Sequence, residues 1–334
     1  MKRRELIQGA LVAGALAGSG IDATGQSAPA RQSEAHFTRL GEMVVERQAA
    51  GKPHAGKVLA AIQPHADDVP LFAGGTVAKL IREGYTGYLI RTTNDDMTGA
   101  GSRGEGVLHN EQDNHAVAAA LGLKGTYDLD YRNHRLDAVS PQDFRGRLIF
   151  LFRLLRVDTL ISYDHWGLYE ENPDHYVTAA VVESACWMAG MDKDYPEHFA
   201  AGLKPHGVTE KYYFARGPQI ANRIVDISGS IGQKVEAIRK NVTQGPGGES
   251  GARLKAQLAA RRLRLPILGE DDETANRRYI EHFVLDRDSM FLRGVPSDKE
   301  VGTPYGLPWA ERFRYIATPE SQMEDYISRN AVAL

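Results

Sequence analysis

The sequence predicts an α/β fold: a Rossmann-like, mainly parallel sheet with helices on both faces. Three observations carry this. Short apolar runs alternate with amphipathic stretches of helical length along residues 57–190, the pattern of repeated βαβ units. The first of these runs, "KVLAAI" (57–62), is apolar throughout, as a strand buried on both faces requires. The composition, 42% hydrophobic and 25% charged over 334 residues, is that of an ordinary globular enzyme.

The elements follow in order. After 57–62, "GGTVAKLIREG" (74–84) reads as a helix closed by Gly84, and "YTGYLIRTT" (85–93) as the second strand. "NEQDNHAVAAALG" (110–122) is helical and "TYDLDY" (126–131) extended. "PQDFRGRLIFLFRLLR" (141–156) has an amphipathic helical period, and "DTLISYD" (158–164) returns as a strand ahead of the helix "DHYVTAAVVESACWMAG" (174–190). "EKYYFAR" (210–216) and "NRIVDIS" (222–228) predict two late strands. "IGQKVEAIRKNV" (231–242) and the basic "ARLKAQLAARRLRL" (252–265) predict helices, the charges of the latter being a solvated face. The Gly- and Pro-rich "GVPSDKEVGTPYGLPW" is expected to lie over one end of the sheet. Three segments result: a leader over 1–30, an α/β core over 31–245, and a helical and loop extension over 246–334 packed on the core.

Charge and cysteine usage narrow the function. A net charge of -3 gives no electrostatic reason for a nucleic-acid or anionic-membrane partner. One cysteine, Cys186, excludes an internal disulfide framework and a cysteine-based zinc site. The leader "MKRRELIQGALVAGALAG" joins Arg3 and Arg4 to a short, mild apolar run, followed by small residues at Ala28 and Ala30. This resembles a twin-arginine signal and predicts that the twin-arginine export machinery carries the chain to a periplasmic or extracellular location, without stable membrane insertion.

The chemistry is expected at the carboxyl ends of the strands, where open parallel sheets bind ligands. "QPHADDVP" (63–70) leaves the first strand there with His65, Asp67 and Asp68. The bland account is a helix N-terminus capped by one aspartate. "DHWGLYEENPDH" (164–175) leaves a later strand at the same edge with His165, Tyr169, Asp174 and His175. Two such clusters at equivalent edges favour a metal held by two histidines and one carboxylate, the pattern of a catalytic zinc site. Which of the two adjacent aspartates binds the metal is open at this point.

These motifs resemble the PIG-L/LmbE-like zinc-dependent N-deacetylases. "PHADDVPLFAGGT" is similar to the family's AHPDDE stretch and its following helix start, "NPDH" (172–175) to its HPDH, and "VDISGSIGQKVEAIRKNVTQ" to its late strand and helix. The likeness covers roughly residues 55–245. It implies His65, Asp68 and His175 as ligands to one Zn2+ per chain and Asp67 as general base. It further implies an N-acyl, most often N-acetyl, amino sugar or glycoconjugate as the small-molecule or glycan substrate. Asp174 is expected to orient the neighbouring His175 imidazole or to cap the helix. Asn172 stands where the family has a histidine; its amide can donate a hydrogen bond to a developing oxyanion but carries no charge. His165 or Tyr169 is expected to make up the difference, and Arg132, Asn133 and His134 are candidate sugar contacts. Two alternatives accompany this reading. One is a carbohydrate- or metal-binding protein with little turnover. The other is an NAD-dependent oxidoreductase using "GAGSRG" (99–104), which satisfies G-x-G-x-x-G but stands away from the preceding strand.

Overall fold

A computed structural model describes residues 42–286, 296–317 and 322–333; the leader (1–30) lies outside them. Eight strands form one sheet in the order β1-β7-β8-β6-β5-β2-β3-β4. The chain enters through the short edge strand β1 (Val44–Glu46) and then the central β2 (Val58–Gln63). Helices α1 (Asp68–Phe72) and α2 (Gly74–Arg82) lead to β3 (Thr86–Thr93), and α3 (Arg103–Ala120) leads to β4 (Gly125–Tyr131). Next come α4 (Pro141–Leu155), β5 (Thr159–Tyr163), α5 (Pro173–Met188) and α6 (Pro196–Ala200). β6 (Glu210–Phe214), β7 (Arg223–Asp226), α7 (Ile231–Lys240), α8 (Ser250–Ala260), α9 (Asp272–Tyr279) and α10 (Asp298–Gly302) precede β8 (Ala310–Ala317) and α11 (Gln322–Asn330).

Strand β2 shows why the sheet is two-sided. Leu59 and Ala61 join α2, α3 and α7 side chains in one core, and Ala60 and Ile62 join α4 and α5 in the other. Strict alternation of two apolar sets along one strand requires helices on both faces. Gly75 is needed where α2 crosses the sheet, because a Cβ there would meet Ile227 Cβ at 2.7 Å.

The sequence reading did not foresee β1 or β8. The C-terminal segment was expected only to pack on the core. It instead inserts β8 between β6 and β7, antiparallel to both. Residues 310–317, "AERFRYIA", alternate charged and apolar side chains, so they lack the continuous apolar run of the other strands. The predicted 110–122 helix begins earlier, at Arg103. Ser102 caps it, accepting from Glu105 N while the Glu105 carboxylate accepts from Ser102 N, a capping box. "GAGSRG" is therefore a helix start reached through a loop from β3, and the dinucleotide reading loses its motif. A dinucleotide site would also need a free acidic side chain on a following strand, and Asp128 on β4 is instead taken by Arg91 Nε at 2.6 Å.

Strand β2 pairs with β3 on one side and β5 on the other. The chain thus winds outward in opposite directions from this pair, and a crevice opens beyond the carboxyl ends of β2 and β5.

Candidate metal centre

The turn after β2 is fixed from below. Gln63 accepts from Val69 N at 2.9 Å and donates to Asn114, while Thr93 at the end of β3 donates to Pro64 O. Asp68 Oδ2 accepts from His65 N at 2.9 Å, and Asp95 Oδ2 accepts from Ala66 N at 3.2 Å. Asp95 takes a left-handed backbone (φ 55), unfavourable for an aspartate outside a tight turn, and is fully buried. Asp67 occupies the N-cap position of α1 but its side chain makes no capping bond. Helix capping does not explain it.

The crevice brings His65, Asp68 and His175 together, all buried, with one potential ligand atom from each within 4.8 Å of the others. His65 Nδ1 lies 3.0 Å from His175 Nε2 and 3.4 Å from Asp68 Oδ2. The outer nitrogens meet carboxylates: His65 Nε2 is 3.2 Å from Asp174 Oδ2, and His175 Nδ1 is 3.2 Å from Glu170 Oε2. The second contact is close enough for an ion pair but is not aligned as a hydrogen bond. Tyr163, at the end of β5, donates to Asp68 Oδ1 at 2.7 Å and stacks on His175 with ring centroids 4.3 Å apart.

Electrostatics separates the adjacent aspartates. Burial, then the negative charge of Asp68, pushes the Asp67 carboxyl up to about 7. Burial also disfavours ionised Asp68, but the His175 charge, the His65 hydrogen bond and charge, and the Tyr163 hydroxyl hold it well below the usual carboxylate range. His65 is raised well above an ordinary histidine: desolvation opposes this, and Asp174, Asp68 and Asp95 overcome it. A cation held among these groups would relieve the same field. Beside Asp67 the chain turns through Gly245 (φ +83), where a Cβ would come within 2.9 Å of Asp67 Oδ2.

A pocket of about 170 Å³ opens over the cluster, lined among others by Asp67, His134, Asn172 and Arg216. Asn172 caps α5, its Oδ1 accepting from Asp174 N at 3.0 Å, which leaves the amide Nδ2 as the group it can offer to a ligand. Asn133 reaches the pocket wall but is braced there, its N donating to Asp96 and its Nδ2 to Asp95.

Other expected residues are placed differently. Asp174 does not orient the neighbouring His175; it faces His65 and accepts from His134 N and Leu136 N. Helical geometry turns consecutive side chains about 100° apart, so Asp174 and His175 cannot share a partner easily. His165 is exposed against Trp166, Tyr169 is 75% exposed, and neither lines the pocket. The Arg132 guanidinium is drawn to Asp96, away from the pocket. Three residues escaped the sequence reading: Tyr163, Glu170 and Arg216. Tyr163 and Arg216 stand at or just beyond the carboxyl ends of β5 and β6, so the edge rule that selected His65 could have selected them.

Comparison with known proteins follows the same lines. Residues 60–186 match the family described as PIG-L: GlcNAc-PI de-N-acetylase. The chain is 28% identical over 194 residues to the diacetylchitobiose deacetylase of Thermococcus kodakarensis, covering 57% of this chain and 71% of that protein. Among solved structures, the N,N'-diacetylchitobiose deacetylase from Pyrococcus horikoshii aligns with a TM-score of 0.58 at 22% identity, over 80% of this chain and 88% of that one. The 4-carboxy-2-hydroxymuconate hydratase from Pseudomonas putida aligns at 0.54 and 16%, over 80% and 98%. These two structures share the fold, and the pair shows that the fold by itself does not fix the reaction.

Proposed function

We propose, from the premise that residues 60–186 are a PIG-L family domain, that this protein is a zinc-dependent N-deacetylase of an N-acetylated amino sugar or its glycoconjugate. The observation that carries the reading is the facing pair His65 Nδ1 and His175 Nε2, 3.0 Å apart. Each ring has a carboxylate at its outer nitrogen, Asp174 for His65 and Glu170 for His175. With a metal bound, those carboxylates would keep the N–H protons on the outer nitrogens and leave the two facing nitrogens as lone-pair donors beside the Asp68 carboxylate. Two imidazole lone pairs and an anion pointed at one spot are a divalent-cation donor set, and a neutral core would not leave them so. His65, Asp68 and His175 would hold a zinc ion there, which would supply an activated water and a Lewis acid for the amide carbonyl.

The remaining work falls to side chains. Asp67 is at the pocket without being needed as a ligand, so it is free to take the proton of the attacking water and return it to the departing amine. Asp68, fixed by Tyr163 and the His65 N–H, keeps its charge for the metal. The Asn172 Nδ2 amide supplies a neutral donor at the pocket wall. The similarity to a diacetylchitobiose deacetylase supports an amino-sugar amide as the substrate class. A second reading, a metal- or carbohydrate-binding protein with little turnover, draws on the neutral Asn172. One experiment separates them. Purified protein is assayed for metal content and for amine release from N-acetylglucosamine and N,N'-diacetylchitobiose. The proposal expects about one zinc per chain and amine release, with both reduced together in His65→Ala and His175→Ala. Zinc without amine release from any N-acyl sugar gives the second reading, and full zinc retention in both variants removes the ligand assignment.

A further inference from the structure

Arg216 is the one arginine or lysine lining the pocket among the described residues. Its position is built by two loops. β5 and β6 are parallel neighbours and end side by side, pairing Tyr163 with Phe214. Beyond them, Asp164 N donates to Phe214 O at 2.7 Å and Leu168 N to Pro218 O at 2.8 Å, so the two loops continue together past the sheet. Gly217 permits this closeness, since a Cβ there would strike Leu168 O. Glu170 is thereby set opposite Arg216. Its carboxylate accepts from Nε at 2.8 Å and from Nη2 at 2.6 Å, a two-point grip on one edge of the guanidinium. The same carboxylate reaches His175 Nδ1. One anion thus fixes both a metal-facing imidazole and an arginine, tying the arginine's position to that of the reacting centre.

The planar guanidinium has a second edge, at Nη1, that the Glu170 grip does not use. Amide hydrolysis needs a donor of this kind. As the water oxygen bonds to the carbonyl carbon and Asp67 takes the water's proton, the C=O electron pair moves onto oxygen; when the C–N bond breaks, its pair goes to nitrogen with the proton from Asp67, the oxygen pair reforms C=O, and the acid released ionises to acetate. Negative charge is therefore present on one oxygen in the intermediate and on the acetate product. A preorganised cation in a partly water-excluded pocket stabilises both. Neutral Asn172 cannot supply that charge, and His165 faces solvent.

We propose that Arg216, held by Glu170, is the catalytic residue that bears the developing oxyanion and then the product carboxylate. The proposal rests on the deacetylase reading for its reaction but has a readout that does not need turnover. Sodium acetate is titrated by calorimetry into wild-type protein, Arg216→Gln and Arg216→Lys, each with metal content verified as equal, and the same proteins are assayed for amine release. In Arg216→Gln, acetate affinity should fall about tenfold or more. kcat should drop about 10²–10³-fold, the worth of one oxyanion donor, with KM within about threefold. Arg216→Lys should keep acetate affinity closer to wild type, because a charge remains, and it also serves should the glutamine variant misfold. Equal acetate affinity in all three proteins, or a kcat of Arg216→Gln within about threefold of wild type, overturns the assignment. If wild-type protein hydrolyses no N-acyl sugar, the functional reading fails separately, and the acetate titration alone decides whether Arg216 is an anion site.

Discussion

Among the buried clusters of charge in this fold, two are built on opposite plans. Behind α2, the fully buried Lys234 Nζ sits 2.5 Å from Asp298 Oδ2 and 2.6 Å from Glu311 Oε1. Glu311 also accepts from Gly75 N and Thr76 N at the start of α2. Cation, anions and helix N–H groups answer one another there, and the cluster locks β8 and α10 to α2 and α7. In the crevice, His65, Asp68 and His175 each turn a ligand atom toward the others, within 4.8 Å. The first cluster is closed around its own lysine, and its role is to hold elements in register. The second is a donor set, two imidazoles and a carboxylate converging on one spot. Burial alone did not distinguish them; the inventory of donors and acceptors did.

The largest effect should come from breaking the crevice cluster's chemistry while sparing its structure. Asp67→Asn removes the proposed proton carrier, which stands outside the His65, Asp68 and His175 cluster. We expect turnover to fall about 10²–10⁴-fold, the usual worth of a positioned acid–base group, at unchanged zinc content. Stability should hold or rise, since a desolvated carboxyl beside Asp68 is replaced by a neutral amide. Amine release at the wild-type rate with zinc bound would remove Asp67 from the base role.

Breaking the Lys234 cluster should do the reverse. Lys234→Met leaves the buried Glu311 and the partly buried Asp298 without their cation, a change that costs about 3–5 kcal/mol in comparable, fully buried cases. Urea unfolding should register that loss, while the folded fraction keeps its zinc content and kcat. A variant as stable as wild type would show that the helix N–H groups alone suffice for Glu311.

How much of this was legible beforehand differs between the two clusters for a physical reason. His65, Asp68 and His175 are set by local chemistry at strand ends, so short motifs expose them, and alternating apolar runs expose β2 through β7. Lys234, Asp298 and Glu311 come from three distant segments and read in sequence as ordinary surface charges. Only the insertion of β8 brings them together, and that insertion depends on pairing partners that "AERFRYIA" does not announce. The same limit explains Glu170 and Arg216. Each looks like a solvated loop charge until the two loops beyond β5 and β6 are seen to run together. Asp174 was placed near the right ring chemistry but on the wrong histidine, because sequence adjacency is a poor guide to facing on a helix.

The smallest effect sharpens the account of the Lys234 cluster. Two carboxylates share one lysine, so the group carries one negative charge too many for a buried site. Burial, with Glu311 adding to it and Lys234 opposing, pushes the Asp298 carboxyl up to about 7, against about 3.9 for an unfolded aspartate. Below the unfolded value both states hold the proton, and the stabilising contribution is fully present. Between about pH 4 and 7 the unfolded chain releases the proton while the folded protein retains it, so stability declines as pH rises. Above about 7 both are ionised and the slope ends. Asparagine imitates the neutral acid at every pH. Asp298→Asn should therefore match wild type near pH 4.5 and gain on it progressively toward pH 8 in urea midpoints. A difference between the two proteins that stays constant across that range would mean that Asp298 is ionised throughout and that Lys234 neutralises both of its partners.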